Sequence, residues 1–178
     1  TLFRSFGITS FDYATGGQPI DVTYYLLKEV LKKHKNPIVV VDLYYLGSTA
    51  KFGDEGYIRT AIDNTKFSMN KVQAIINTTP RDQWLNYFFP VFKYHDRWKE
   101  LTETDFNFDT DETYYRKGFN ASHNLYGKEN ASNSLTTEKT ALPPKTEEYL
   151  NKMIALSKKE KFKLIFTNVP HDYSQTSG

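Results

Sequence analysis

The sequence has no cysteine in 178 residues, which excludes a disulfide scaffold. No apolar run approaches the roughly 18 residues that a bilayer requires, which excludes a spanning helix. A formal net charge of +2 is too small to argue for a nucleic-acid partner. Neither G-x-x-x-x-G-K-[ST] nor G-x-G-x-x-G occurs, so both phosphate-cradling glycine loops are missing. His34, His95, His123 and His171 have no metal-ligand spacing, and no metal or cofactor is expected. The chain starts at Thr1 with neither initiator Met nor signal peptide. It reads as a processed or trimmed piece, with any targeting segment or membrane anchor expected upstream.

What is present is material for a core. Hydrophobic residues make up 39%, including 13 Tyr, 13 Phe and 2 Trp, too many for a disordered tail. The length fits one domain carrying a large insertion. The 23 cations are mostly Lys, and Asn is frequent, a mixture common in AT-rich bacterial genomes. No internal repeat or heptad pattern occurs.

The ends of the chain follow a βα rhythm. Phe11-Asp12-Tyr13-Ala14 is expected to close a first strand at Gly16-Gly17. A helix follows, with Pro19 near its start, Asp21 as N-cap, and Val22, Leu26 and Val30 recurring every four residues. Lys32, Lys33, His34 and Lys35 suit its negative end, and Asn36-Pro37 stops it. Ile38 to Leu46 is β-branched and almost continuously apolar, as in strands covered on both faces of a parallel sheet. Near the end, Thr146-Glu147-Glu148 opens a second helix with Tyr149, Leu150, Met153, Ile154 and Leu156 on its apolar side. Phe162 and Leu164 to Pro170 form another buried strand. Residues 8–46 and 143–170 therefore predict one parallel α/β sheet.

Residues 47–141 form the expected insertion, with helices over Glu55–Asp63, Asn70–Asn77 and Arg81–Phe89, a break at Pro90, and a resumption over Tyr94–Leu101. The chain from Thr102 to Ala141 is polar and turn-rich. Asp105 to Thr110 imitates the start of a calcium loop, but Thr110 and Arg116 stand where its glycine and bidentate Glu belong, so an EF-hand is rejected.

In open parallel sheets, ligands bind beyond the carboxyl ends of the strands. Three segments fall there: Thr15 to Gln18, Tyr44 to Ser48, and Asn168 to Asp172. Gly16, Gly17, Gln18 and Asn168 are the binding candidates, and His171 and Asp172 could reach the same pocket. Gly16-Gly17 fits an amide pocket for an anion or oxyanion, and it also fits a turn that merely needs positive φ. His95 and Arg97, within His95-Asp96-Arg97-Trp98, read as an Arg–carboxylate pair beside a buried Trp or as a sugar or carboxylate site.

The stretch Phe6-Gly7-Ile8-Thr9-Ser10-Phe11-Asp12-Tyr13-Ala14-Thr15-Gly16-Gly17-Gln18-Pro19 resembles part of the bacterial SGNH/GDSL-type hydrolases, in particular the exported branch related to cell-wall acyl-transfer proteins. Tyr24 to Glu29 and Ile38 to Leu43 resemble the helix and strand that follow there. Tyr94 to Leu101 with Asp105-Phe106, and Tyr115 to Phe119, are similar to its middle region. The resemblance covers most of the chain.

The resemblance implies a flavodoxin-like fold, a parallel sheet sandwiched by helices, with serine-dependent esterase or acyltransferase chemistry on acylated cell-surface polysaccharide outside the cytoplasm of a bacterium. It assigns the oxyanion amide to Gly16 or Gly17. The family's nucleophile turn would precede Thr1, and its Asp-x-x-His pair would follow Gly178. No G-[DS]-S element occurs in the sequence. The expectation is thus a single α/β domain incomplete at both ends, the central part of an enzyme and inactive alone. A non-catalytic carbohydrate-binding module of a cell-envelope protein is the alternative, its aromatic insertion stacking on sugars. A response-regulator-like domain is disfavoured, because no acidic pair ends the first strand.

Overall fold

A computed structural model describes residues 6–43, 51–95, 97–102 and 141–167. In order, the elements are α1 (Ile20–Lys33), β1 (Ile38–Asp42), α2 (Glu55–Ile62), α3 (Met69–Thr78), α4 (Trp84–Phe88), α5 (Pro90–Tyr94), α6 (Pro144–Glu160) and β2 (Lys163–Thr167), with short 3₁₀ turns at Arg81–Gln83 and Arg97–Glu100. The architecture is mixed α/β. The two strands among the described residues pair in parallel, with Val40 opposite Ile165 and the other four residues of each strand in step.

Local chemistry explains the boundaries. The Asp54 carboxylate accepts from the amides of Gly56 and Tyr57, and the Ser68 hydroxyl accepts from Lys71 N, so α2 and α3 open on side-chain caps. Pro144 occupies the first position of α6, where a missing N–H costs nothing. Lys161 ends that helix in the left-handed conformation, φ 56°. Pro90 cannot donate to the turn before it, so the chain breaks at Phe89 and restarts as α5.

Helix α1 is the axis of the core. Its Val22, Tyr25 and Leu26 pack with Ile58, Ala61 and Ile62 of α2, Ala74 and Ile75 of α3, and Tyr87 of α4. Its Leu27 packs instead with Val41, Met153 and Phe162, beneath the sheet. Residues 51–94 are thus joined to the sheet through α1 and also through α6, whose Tyr149 lies in the first cluster and Met153 in the second.

The sequence expectation is corrected at five places, the first being that the helix resumes at Pro90 as α5 rather than over Tyr94–Leu101, of which only a 3₁₀ turn at Arg97–Glu100 follows. Phe11 to Ala14 is not a strand; Phe11 is 63% exposed and no ladder partner exists for it among the described residues. The sheet is covered on one face, with Val39, Val41, Leu164 and Phe166 turned to the helices, while Ile38, Val40 and Ile165 of the other face are exposed among the described residues. Both helix starts lie earlier than expected. Pro19, not Asp21, is the N-cap of α1, and α6 opens at Pro144 rather than Thr146. Asp21 is drawn inward instead, to a role set out below. The portions of the expected strands at 44–46 and 168–170 lie outside the described residues.

Candidate functional site

Each helix that precedes a strand runs back along it, so the starts of α1 and α6 lie at the carboxyl edge of the sheet. An ion pair joins them there. Lys145 Nζ lies 2.5 Å from Asp21 Oδ2, and the Asp21 side chain is 1% exposed. Lys145 also donates to the Lys51 carbonyl at 2.8 Å, tying the start of the insertion to the same point. The other carboxylate oxygen of Asp21 accepts from Val22 N at 3.0 Å, within the first turn, where negative charge suits the helix dipole.

The glycine turn lies directly before α1. Gln18 N donates to Thr15 O at 3.2 Å, closing a four-residue turn with Gly17 at φ +64°. Positive φ at the third residue is the type II pattern and favours glycine. Gly17 is doubly constrained, because a Cβ there would meet Tyr57 ring carbons at 2.5 Å. Gly16 is not, since a Cβ there would meet nothing within 4 Å. Gly53 answers Pro19 in the same way, since a Cβ there would meet Pro19 Cγ at 2.5 Å, so the corner is a tight junction between α1 and the chain entering α2.

Gln18 is committed to the turn. Its Oε1 accepts from Thr15 N at 3.2 Å and Thr15 Oγ1 at 3.1 Å, and its Nε2 donates to Thr23 Oγ1 at 2.8 Å. It therefore shapes the corner. The amides of Gly16 and Gly17 donate no hydrogen bond among the described residues. They are the polar groups of the corner with capacity to spare.

Asn168, His171 and Asp172 lie outside the described residues. His95 closes α5, exposed, with Nδ1 2.8 Å from the Phe92 carbonyl. That contact is with the α5 backbone. Arg97 lies in the following 3₁₀ turn, and its side chain and that of Trp98 lie outside the described ones. Among the described residues no three His, Asp or Glu side chains gather as a metal site, and no helix is long and apolar enough to cross a membrane.

A second polar cluster lies on α2. Arg59, its side chain 7% exposed, pairs with Glu55 at 2.7 Å and Asp63 at 3.3 Å and stacks on the Tyr87 ring at 4.1 Å. Lys93 of α5 also pairs with Glu55. Hydrogen bonds from Lys93 and Arg59 hold the Glu55 carboxyl below its ordinary pKa. Burial works against the charged Arg59, but Glu55, Asp63 and Tyr87 carry its pKa above the ordinary value. The signal for this cluster was in the sequence: Glu55, Arg59 and Asp63 are spaced by four, the helical ion-pair interval. Asp21 and Lys145, 124 positions apart, carried no comparable signal.

No protein-family model matches the chain, and neither a curated protein nor a solved structure shows significant similarity to it.

Proposed function

We propose that this chain is the central part of an SGNH-type serine esterase or acyltransferase acting on acylated cell-surface polysaccharide outside the bacterial cytoplasm, its two strands belonging to a larger flavodoxin-like sheet. The observation that carries this reading is the glycine corner. Two backbone amides without partners among the described residues sit where α1 begins, at the carboxyl edge of a parallel sheet. That edge is where open α/β sheets bind ligands. Amides fixed in this way suit the oxygen of an ester carbonyl as it gains negative charge, because they need not reorganise when the charge develops. Gln18 and Tyr57 hold the turn in place, and the Asp21–Lys145 pair holds the helix behind it.

In this reading the chain supplies the oxyanion amides, and the serine nucleophile and its histidine base come from residues outside it. The protein expressed from its full reading frame, treated with a fluorophosphonate and mapped by mass spectrometry, is expected to carry the label on one serine and to release acetate from O-acetylated polysaccharide. Residues 1–178 alone are expected to turn over no p-nitrophenyl acetate in a manner sensitive to serine-directed inhibitors. Absence of both serine labelling and acetate release from the full-length protein overturns the reading.

A further inference from the structure

We propose that the amino edge of the sheet, where α1 and α6 both end, is a docking surface for an anionic phospholipid bilayer. The inference goes beyond the esterase reading and does not depend on it.

The strand pairing brings two lysine-rich stretches together. Ile38 and Lys163 stand opposite one another at the starts of β1 and β2, and Lys163 N donates to Pro37 O at 3.3 Å. The ends of α1 and α6, a few residues upstream, are therefore neighbours. Residues 32–38 and 157–163 together hold seven lysines, one glutamate and no arginine. All seven lysines are exposed. Among the described residues only two of them have a carboxylate partner, Lys32 with Glu29 at 2.7 Å and Lys159 with Glu160 at 3.8 Å. The chain as a whole carries only +2, so this charge is local to the edge.

Helix chemistry accounts for part of the cluster. Lysines in the last turns of α1 and α6 complement the negative ends of the two dipoles. Lys35, Lys161 and Lys163 lie past those turns and gain less from them. The two sets also share one field. The Lys28 ammonium, one turn before Lys32, has its pKa lowered first by burial and then by Lys32 and by Lys159 of α6, with Glu29 opposing.

An apolar tip stands beside the lysines. Ser68 donates to Glu29 Oε1 at 2.6 Å, the same oxygen that Lys32 holds. The chain between α2 and α3 is thereby fixed to the end of α1. Phe67 and Met69, on either side of Ser68, are 78% and 69% exposed, and Lys66 before them is exposed too. A bilayer uses both features. Its headgroups attract the ammonium groups, and the layer beneath them takes the two side chains. Ammonium ions on flexible stems suit a smeared surface charge, whereas a discrete phosphate is better matched by guanidinium forks. The glycine corner lies at the other edge, about 21 Å away along the 14 residues of α1. A docked chain holds that corner clear of the lipid.

The test is sedimentation of the 178-residue chain with vesicles of phosphatidylcholine containing about one third phosphatidylglycerol, against phosphatidylcholine alone. Each lysine close to the surface strengthens binding about fivefold, so binding at least about tenfold tighter to the anionic vesicles is expected. The triple variant Lys33→Gln, Lys35→Gln, Lys158→Gln is expected to bind at least about twentyfold more weakly. All three side chains are exposed, and circular dichroism checks the fold. Phe67→Ser is expected to weaken binding at least about fivefold. Raising salt from about 0.1 M to about 1 M needs no variant and is expected to release the chain. Equal binding to the two vesicle types, binding that salt does not weaken, or a folded triple variant that binds as wild type overturns the inference. Unchanged binding in F67S, or tighter binding of a DNA duplex than of the anionic vesicles, overturns the bilayer as the occupant.

Discussion

Asp21 and Lys145 are each the second residue of a helix, and their side chains meet 2.5 Å apart with the carboxylate withdrawn from solvent. The pair fixes the start of α6 to the start of α1. A buried charge left without its partner is costly, on the order of 3–5 kcal/mol when fully enclosed, and Lys145 remains 27% exposed, which places this pair below that range. A double-mutant cycle with Asp21→Asn and Lys145→Gln, read by urea unfolding, is expected to give a coupling energy of about 1–3 kcal/mol. A coupling within error of zero would mean that water already screens the contact.

The two glycines of the corner should separate cleanly. Gly17→Ala forces a side chain into the left-handed region, at about 1–2 kcal/mol, and sets a methyl against Tyr57. Gly16→Ala meets open space and is expected to change stability by less than about 0.5 kcal/mol. Denaturation midpoints check both. In the proposed enzyme, Gly16→Ala should still reduce ester turnover wherever the acyl group passes close to this backbone.

Glu55 gives the α2 cluster a pH dependence. Its folded pKa is depressed by Lys93 and Arg59. Its contribution to stability is therefore complete above the ordinary value of 4.5 and is lost as pH falls through the lower folded value. Glu55→Gln is expected to flatten the acid limb of the stability curve below pH 4.5 relative to wild type. Thermal melts between acidic and neutral pH measure it, and parallel curves would exclude Glu55 as a source.

Ile75 and Met153 test whether the helical part and the sheet are one cooperative unit. Both are fully buried, one in the cluster around α2 and α3, the other beneath the sheet. Each truncation to Ala should cost about 2–5 kcal/mol. Because α1 serves both clusters, each should lower the same single transition. Two transitions, each moved by one variant only, would contradict this.

Elements with local signals were legible in the sequence. The helices over Glu55–Ile62 and Met69–Thr78, and the break at Pro90, follow from spacing, caps and a missing amide, and all three lie where the pattern puts them. The parallel pairing of the two aliphatic runs was legible from their β-branched continuity. What failed was Phe11 to Ala14, where four residues of mixed polarity carry no period long enough to distinguish strand from coil. Asp21 looked like a cap because Asp before an apolar stripe usually is one; the approach of Lys145 from a distant helix made burial the better use of it. The glycine turn was visible, but the difference between its two glycines was not, since it depends on where Tyr57 comes to rest.

The two described strands lie far apart in the sequence. Thr167 bonds to Val41 across a separation of 126 positions. At a synthesis rate of roughly 5–20 residues per second, the first aliphatic run waits for about 6–25 s on the ribosome before its mate emerges. During that interval α1 to α5 can consolidate, while Ile38 to Val41 has Leu27 of α1 against Val41 but not yet its partner strand. Until then the unpaired edge of this short apolar segment is exposed to aggregation, and a chaperone that binds extended apolar peptides would find a foothold there.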